Sequence, residues 1–143
     1  MPRRSSARAA KAGDSSRRKK IIRDFFQLVM QGRQKESLHF FTPNCVQHNP
    51  YVRGGMEALF DSMAAVQREP PKYPDAHFAI GRILADGNLV AAYTVLLASK
   101  SKPAEGGLRQ VHLFRFDSRN RIAEYWDISQ MVQPNMPNVT GAF

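Results

Sequence analysis

A chain of 143 residues that is 43% hydrophobic is long and apolar enough for one domain with a genuine core. Its formal charge of +9 is concentrated in residues 1–20, where eight Lys/Arg face Asp14 alone, while the rest carries 13 basic and 11 acidic side chains; this excludes a body-wide phosphate-binding stripe. A lone cysteine, Cys45, excludes an intrachain disulfide and a multi-cysteine metal centre, and no apolar run approaches the roughly 20 residues of a membrane span.

Residues 1–20 read as a disordered basic tail, able at most to bind nucleic acid weakly, and residues 21–143 as the folded domain. The tail lacks the apolar segment of a secretory signal, so a cytoplasmic protein is expected. After the capping residues Asp14-Ser15-Ser16, the recurrence of Ile21, Ile22, Phe25, Phe26 and Val29 predicts a helix ended by Gly32. A short second helix is predicted over 34–41, with Leu38 and Phe41 on its apolar side, and an extended stretch over 45–49. Met56, Leu59, Phe60 and Met63 predict a third helix, stopped by Pro70-Pro71.

From Ala76 the period changes to two, with Phe78, Ile80 and Leu84 on one parity, and Asp86-Gly87-Asn88 predicts a hairpin turn. Strands are expected over 89–99, 108–116 and 121–131, separated by a loop at 100–107 and a turn at 117–120, with an irregular segment over 134–143. Helices followed by a meander mean an α+β domain, with the helices packed on one face of a twisted sheet.

A four-residue turn at 117–120 pairs Phe116 with Arg121, which sets His112 opposite Tyr125 and Gln110 opposite Asp127. All four then share a face with Phe114. A carboxylate partly desolvated beside an imidazole is the pattern of a general base with a charge-stabilising partner. It is equally the pattern of a plain cross-strand hydrogen bond, and a slip of one residue would separate the two groups. Gln47-His48-Asn49-Pro50, where an extended segment meets the third helix, is a second candidate site element. Trp126 alternates away from Asp127 toward the other face, with Val111 and Ile128, which suits a dimer interface. No histidine pair has the spacing of a zinc motif, so no metal is expected.

Taken together, Val46-Gln47-His48-Asn49-Pro50, Gly54-Gly55 ahead of a helix, Leu113-Phe114-Arg115-Phe116 before a turn and Ile122-Ala123-Glu124-Tyr125-Trp126-Asp127-Ile128-Ser129-Gln130 resemble the SnoaL-like polyketide cyclases. The resemblance is to the branch predicted to catalyse aldol-type condensation, within the nuclear transport factor 2-like fold, and covers about residues 21–143. It implies a cone-shaped barrel in which three helices fold over a curved antiparallel sheet, with a ligand cavity between them and dimers formed through the sheets. It also implies cofactor-independent acid–base chemistry on a small, mostly apolar carbonyl compound. Asp127 would be the base, with His112 or His48 binding the developing enolate. Gln47, Asn49, Tyr93, Gln110, Phe114 and Tyr125 would line the cavity. Relatives often carry Asp at the position of His112 and His near Tyr93 and Val95, and related folds that hydrolyse epoxides use an arginine-bridged aspartate pair that Gln110, His112 and Asp127 do not supply. A non-catalytic binding domain of the same fold, and a domain tethered through its basic tail, are the alternative readings.

Overall fold

The structure, a computed structural model, describes residues 3–143. Helix α1 runs Arg3–Met30 and so begins well before the cluster at 14–16 that was expected to start it. Residues 3–20, expected as a tail, are rich in Ala, Arg and Lys, the strongest helix formers, and nothing in that stretch interrupts the backbone ladder. The last turns bury a face: Ile22, Phe25 and Phe26 are buried in the core, consistent with their spacing. Arg18 marks where the helix passes the end of the sheet. Its Nε donates to Asn120 Oδ1 at 2.8 Å and its Nη1 to the Gly87 carbonyl at 2.7 Å, and the guanidinium lies 5.7 Å from the centre of the Phe116 ring. It thereby ties α1 to both hairpin turns. Arg18→Ala is expected to cost about 1.5–3 kcal/mol, the usual range for hydrogen bonds involving a charged group, read as a lower denaturation midpoint at unchanged m.

The predicted second helix is a 3-10 helix over Gln34–Phe40, followed by strand β1, Phe41–Gln47, and α2, Met56–Gln67. The remaining strands are β2 (His77–Asp86), β3 (Leu89–Leu97), β4 (Gly107–Phe116) and β5 (Ile122–Val132). Among the described residues they form one five-stranded sheet of order β1-β5-β4-β3-β2. The fold is thus α+β, with α1, the 3-10 helix and α2 beside a curved sheet, and two single 3-10 turns, Pro103–Glu105 and Thr140–Ala142, in the connecting and final segments. The sheet is mixed and not antiparallel throughout, because β1 pairs parallel to β5. That pairing joins segments far apart in the chain, so no hairpin turn announces its direction.

Two bulges set which side chains face the helices. In β2 the register steps from Ile80↔Thr94 to Arg82↔Tyr93, leaving Gly81 unpaired at a point where a Cβ would lie 2.8 Å from the Tyr93 ring. Ile83 and Ala85 therefore pack on the core, while Leu84, expected on the buried parity, is 63% exposed. In β5 the extra residue is Ala123, between Arg115↔Glu124 and Phe116↔Ile122, and Ile122 turns inward to full burial. The core lies between this inner face and the helices, where Phe25, Phe26, Phe41, Phe60 and Phe114 meet at ring-centre distances of 5.0–6.2 Å.

Candidate functional site

A turn of five residues, 117–121, where four were expected, and the Ala123 bulge each move the β4–β5 register by one residue, two in all: His112 pairs with Asp127, Phe114 with Tyr125 and Gln110 with Ser129. An even shift preserves the face, so His112, Tyr125 and Asp127 still project together toward the helices.

A continuous chain of hydrogen bonds crosses this face. His112 Nε2 lies 2.9 Å from Thr94 Oγ1 on β3, and His112 Nδ1 lies 2.8 Å from the Tyr125 hydroxyl. Tyr125 in turn donates to Asp127 Oδ2 at 3.4 Å, and Asn49 Nδ2 donates to the same oxygen at 2.9 Å. A carboxylate acceptor draws the single phenolic proton toward itself. Nδ1–H of His112 then donates to Tyr125 Oη, and the Thr94 hydroxyl donates to Nε2. Burial lowers the His112 pKa to about 4, so the ring is neutral near pH 7. Burial likewise raises Tyr125 well above the usual phenol value, with the Asp127 charge adding to it, so Tyr125 stays a protonated donor.

His112 is therefore no source of an imidazolium beside the base. Both its nitrogens are engaged within the protein, and Phe26 packs edge-on against its ring at 4.9 Å. It orients Tyr125, which orients Asp127.

The other predicted residues divide by strand parity. Asn49 reaches Asp127 because Gln47 rigidifies the loop before α2: its Nε2 donates to the carbonyls of Val52 and Gly54 and its Oε1 accepts the Asn49 N–H. Asn49 Oδ1 accepts the Tyr51 N–H, which orients the amide. His48, expected in the same cavity, turns to the opposite face. There it stacks on Trp126 at 4.7 Å and bonds Glu124 Oε1 at 2.8 Å. The His48 and Arg115 contacts hold the Glu124 carboxyl below its ordinary range. Tyr93, directly across from Val111, is likewise on the outer face. Phe114 is fully buried core and lines no opening, and Gln110 bonds Ser129 at 2.8 Å beside the cluster. Thr94 was missed from the sequence, although it is the one polar side chain on the inner parity of the apolar strand 89–97, shared with Val90 and Ala92.

The surface has a depression of about 480 Å³ along β4 and β5, lined by Tyr93, Arg109, Val111, Ile128 and Gln130 of the outer face together with Gln110 and Ser129, so two of the predicted binding residues, Tyr93 and Gln110, border it. Another, of about 460 Å³, lies where β1 meets the start of α2. Neither is lined by His112, Tyr125 or Asp127. No group of three or more metal-ligating side chains occurs among the described residues, and none of their helices is long and apolar enough to cross a membrane.

Residues 22–125 match the SnoaL-like domain, a match that ends two positions before Asp127. Comparison with curated proteins found no match. Among solved structures the chain is similar to a putative hydroxylase, AclR, from Streptomyces galilaeus, at 15% identity over 82% of this chain and 81% of that one, with a TM-score of 0.64. It is also similar to a steroid delta-isomerase from Pseudomonas aeruginosa, at 18% identity over 79% of each chain, TM-score 0.56. A third is the epoxide hydrolase/cyclase-like enzyme SalBIII of pyran ring formation in the polyether salinomycin, at 19% identity over 80% of this chain and 92% of that one, TM-score 0.58. At these identities the likeness is one of fold.

Proposed function

The chain belongs to the SnoaL-like domain family, and from that premise we propose that it binds a small, mostly apolar carbonyl compound and moves a proton at its α-carbon, with Asp127 as base. The observation that carries this reading is the asymmetry of the Asp127 carboxylate. Oδ2 accepts from Asn49 and Tyr125, while Oδ1 has no protein donor among the described residues. A half-buried carboxylate held by one oxygen and free at the other is preorganised to take a proton.

In this scheme Oδ1 removes the α-proton and the carbonyl oxygen gathers the charge of the enolate. Asn49 has a second amide hydrogen without a protein acceptor among the described residues, and it donates to that oxygen. His112 and Thr94 act as positioning residues through Tyr125. The enolate carbon then either attacks a second carbonyl, whose alkoxide recovers the proton from Asp127, or takes that proton back itself; where the substrate is a β,γ-unsaturated ketone, the dienolate takes it at the γ-carbon instead. No cofactor enters either sequence. Two copies are proposed to associate through the outer face, where Ile128 and Leu84 are 71% and 63% exposed.

The test is deuterium incorporation at the α-carbons of a panel of apolar cyclic ketones in D2O, followed by NMR. Asp127→Asn is expected to slow exchange at least about 100-fold with ligand affinity retained. An unchanged rate would remove Asp127 as the base. Ketones that bind without exchanging in the wild type would favour the non-catalytic binding domain, which the fully engaged ring of His112 also suits.

A further inference from the structure

The seam between β1 and β5 is open along part of its length. Phe41 pairs with Ile122 and Val46 with Glu124, so residues 42–45 run past a single opposing residue, Ala123. The depression of about 460 Å³ sits at this gap, with Leu38, Pro43 and Met56 as apolar wall and Thr42, Arg121 and Glu57 as its polar members.

Arg121 is an incompletely satisfied cation. Nη2 donates to the Phe41 carbonyl at 2.8 Å, filling in for a missing ladder bond. Its Nε–H is buried without a partner, and so is the neighbouring Thr42 Oγ1. Arg121 forms no ion pair among the described residues, whereas Arg33, Lys35 and Arg115 each do. A guanidinium presents five donors in a planar fork suited to a carboxylate, and orphaned polar atoms beside an opening mark a place where a partner belongs.

We infer that this seam is a binding site for a monocarboxylate carried on a small apolar body. The acid group would meet Nη1 of Arg121, which has no protein acceptor among the described residues and is not among the buried atoms, with the buried Nε–H and Thr42 hydroxyl turning toward it on binding, and the apolar body would rest on Leu38, Pro43 and Met56. Glu57, exposed in the first turn of α2, lies in the same lining and opposes a second negative charge. This selects a monoanion over a phosphate dianion. The site is separate from Asp127 and does not depend on the proton transfer proposed there.

Titration of the full chain with phenylacetate, read by amide NMR shifts, tests the inference. Saturable shifts are expected at residues 42–45 and 55–57, with the neutral isostere phenylacetamide at least about tenfold weaker, since it lacks the charge-assisted bond. Arg121→Gln is expected to lose a similar factor. Glu57→Gln, an exposed change that leaves the fold alone, is expected to tighten binding about two- to fivefold, the range of an exposed charge contact, and it keeps the inference testable should Arg121→Gln fail to fold. Asp127→Asn should leave the titration unchanged, which separates this site from the proposed proton transfer. Equal affinity for acid and amide, the absence of saturable shifts in these segments, or no effect of Glu57→Gln would overturn the assignment.

Discussion

Phe114→Ala is expected to lower the unfolding free energy by about 3–5 kcal/mol, the range for truncating a buried aromatic. Phe114 has no exposed surface, and its ring centre lies 5.8 Å from Phe25, 6.2 Å from Phe26, 5.1 Å from Tyr125 and 6.4 Å from His112. Removing it deletes a main contact between α1 and the centre of the sheet, leaving that of Phe26 with His112, and leaves a space that the surrounding rings cannot close without leaving their rotamers. Urea denaturation at unchanged m is the measurement. A loss below about 1 kcal/mol would mean that the ring borders an open cavity, as its alternation with His112 first suggested, and that it contributes to ligand contact more than to folding.

The second large effect is acid destabilisation through His112. Burial depresses its pKa from 6.5 to about 4 in the folded protein, so between those values the unfolded chain binds a proton that the native one excludes. Stability from this group is complete above about pH 6.5 and is lost as the pH falls toward 4, and the difference amounts to about 3 kcal/mol. Unfolding free energies measured across this interval should fall more steeply in the wild type than in His112→Gln, which has no titrating ring at that position. NMR titration of the imidazole gives a direct check: an apparent pKa near 6.5 would show that the ring reaches solvent and would end its role as a neutral link between Thr94 and Tyr125. The two measurements bear on function as well as folding, because a neutral His112 can orient Tyr125 but cannot deliver a proton at pH 7.

The proposed chemistry follows from these electrostatics. A protonated Tyr125 and the Asn49 amide both donate to the Asp127 carboxyl, and a neutral His112 stands behind Tyr125. An arrangement of neutral donors around one carboxyl suits proton abstraction in a site where extra charges would be costly to bury.

The sequence determined the local features. The period-three-to-four spacing of Ile22, Phe25 and Phe26 identified the core-facing stripe of α1, Gly87-Asn88 identified the hairpin, and alternation along 108–116 and 122–131 put His112, Tyr125 and Asp127 on one face. That last conclusion survived a two-residue error in register only because side-chain parity has a period of two. Tertiary structure alone decided the rest. The bulges at Gly81 and Ala123 reassigned Leu84 and Ile122, since a single unpaired residue inverts everything beyond it and leaves little mark in composition. The parallel pairing of β1 with β5 brought Asn49 to Asp127 and sent its neighbour His48 to Trp126, because the direction of a long-range pairing is set by packing across the whole domain and not by any turn. The same pairing opened the seam at Arg121, whose role no local pattern announced.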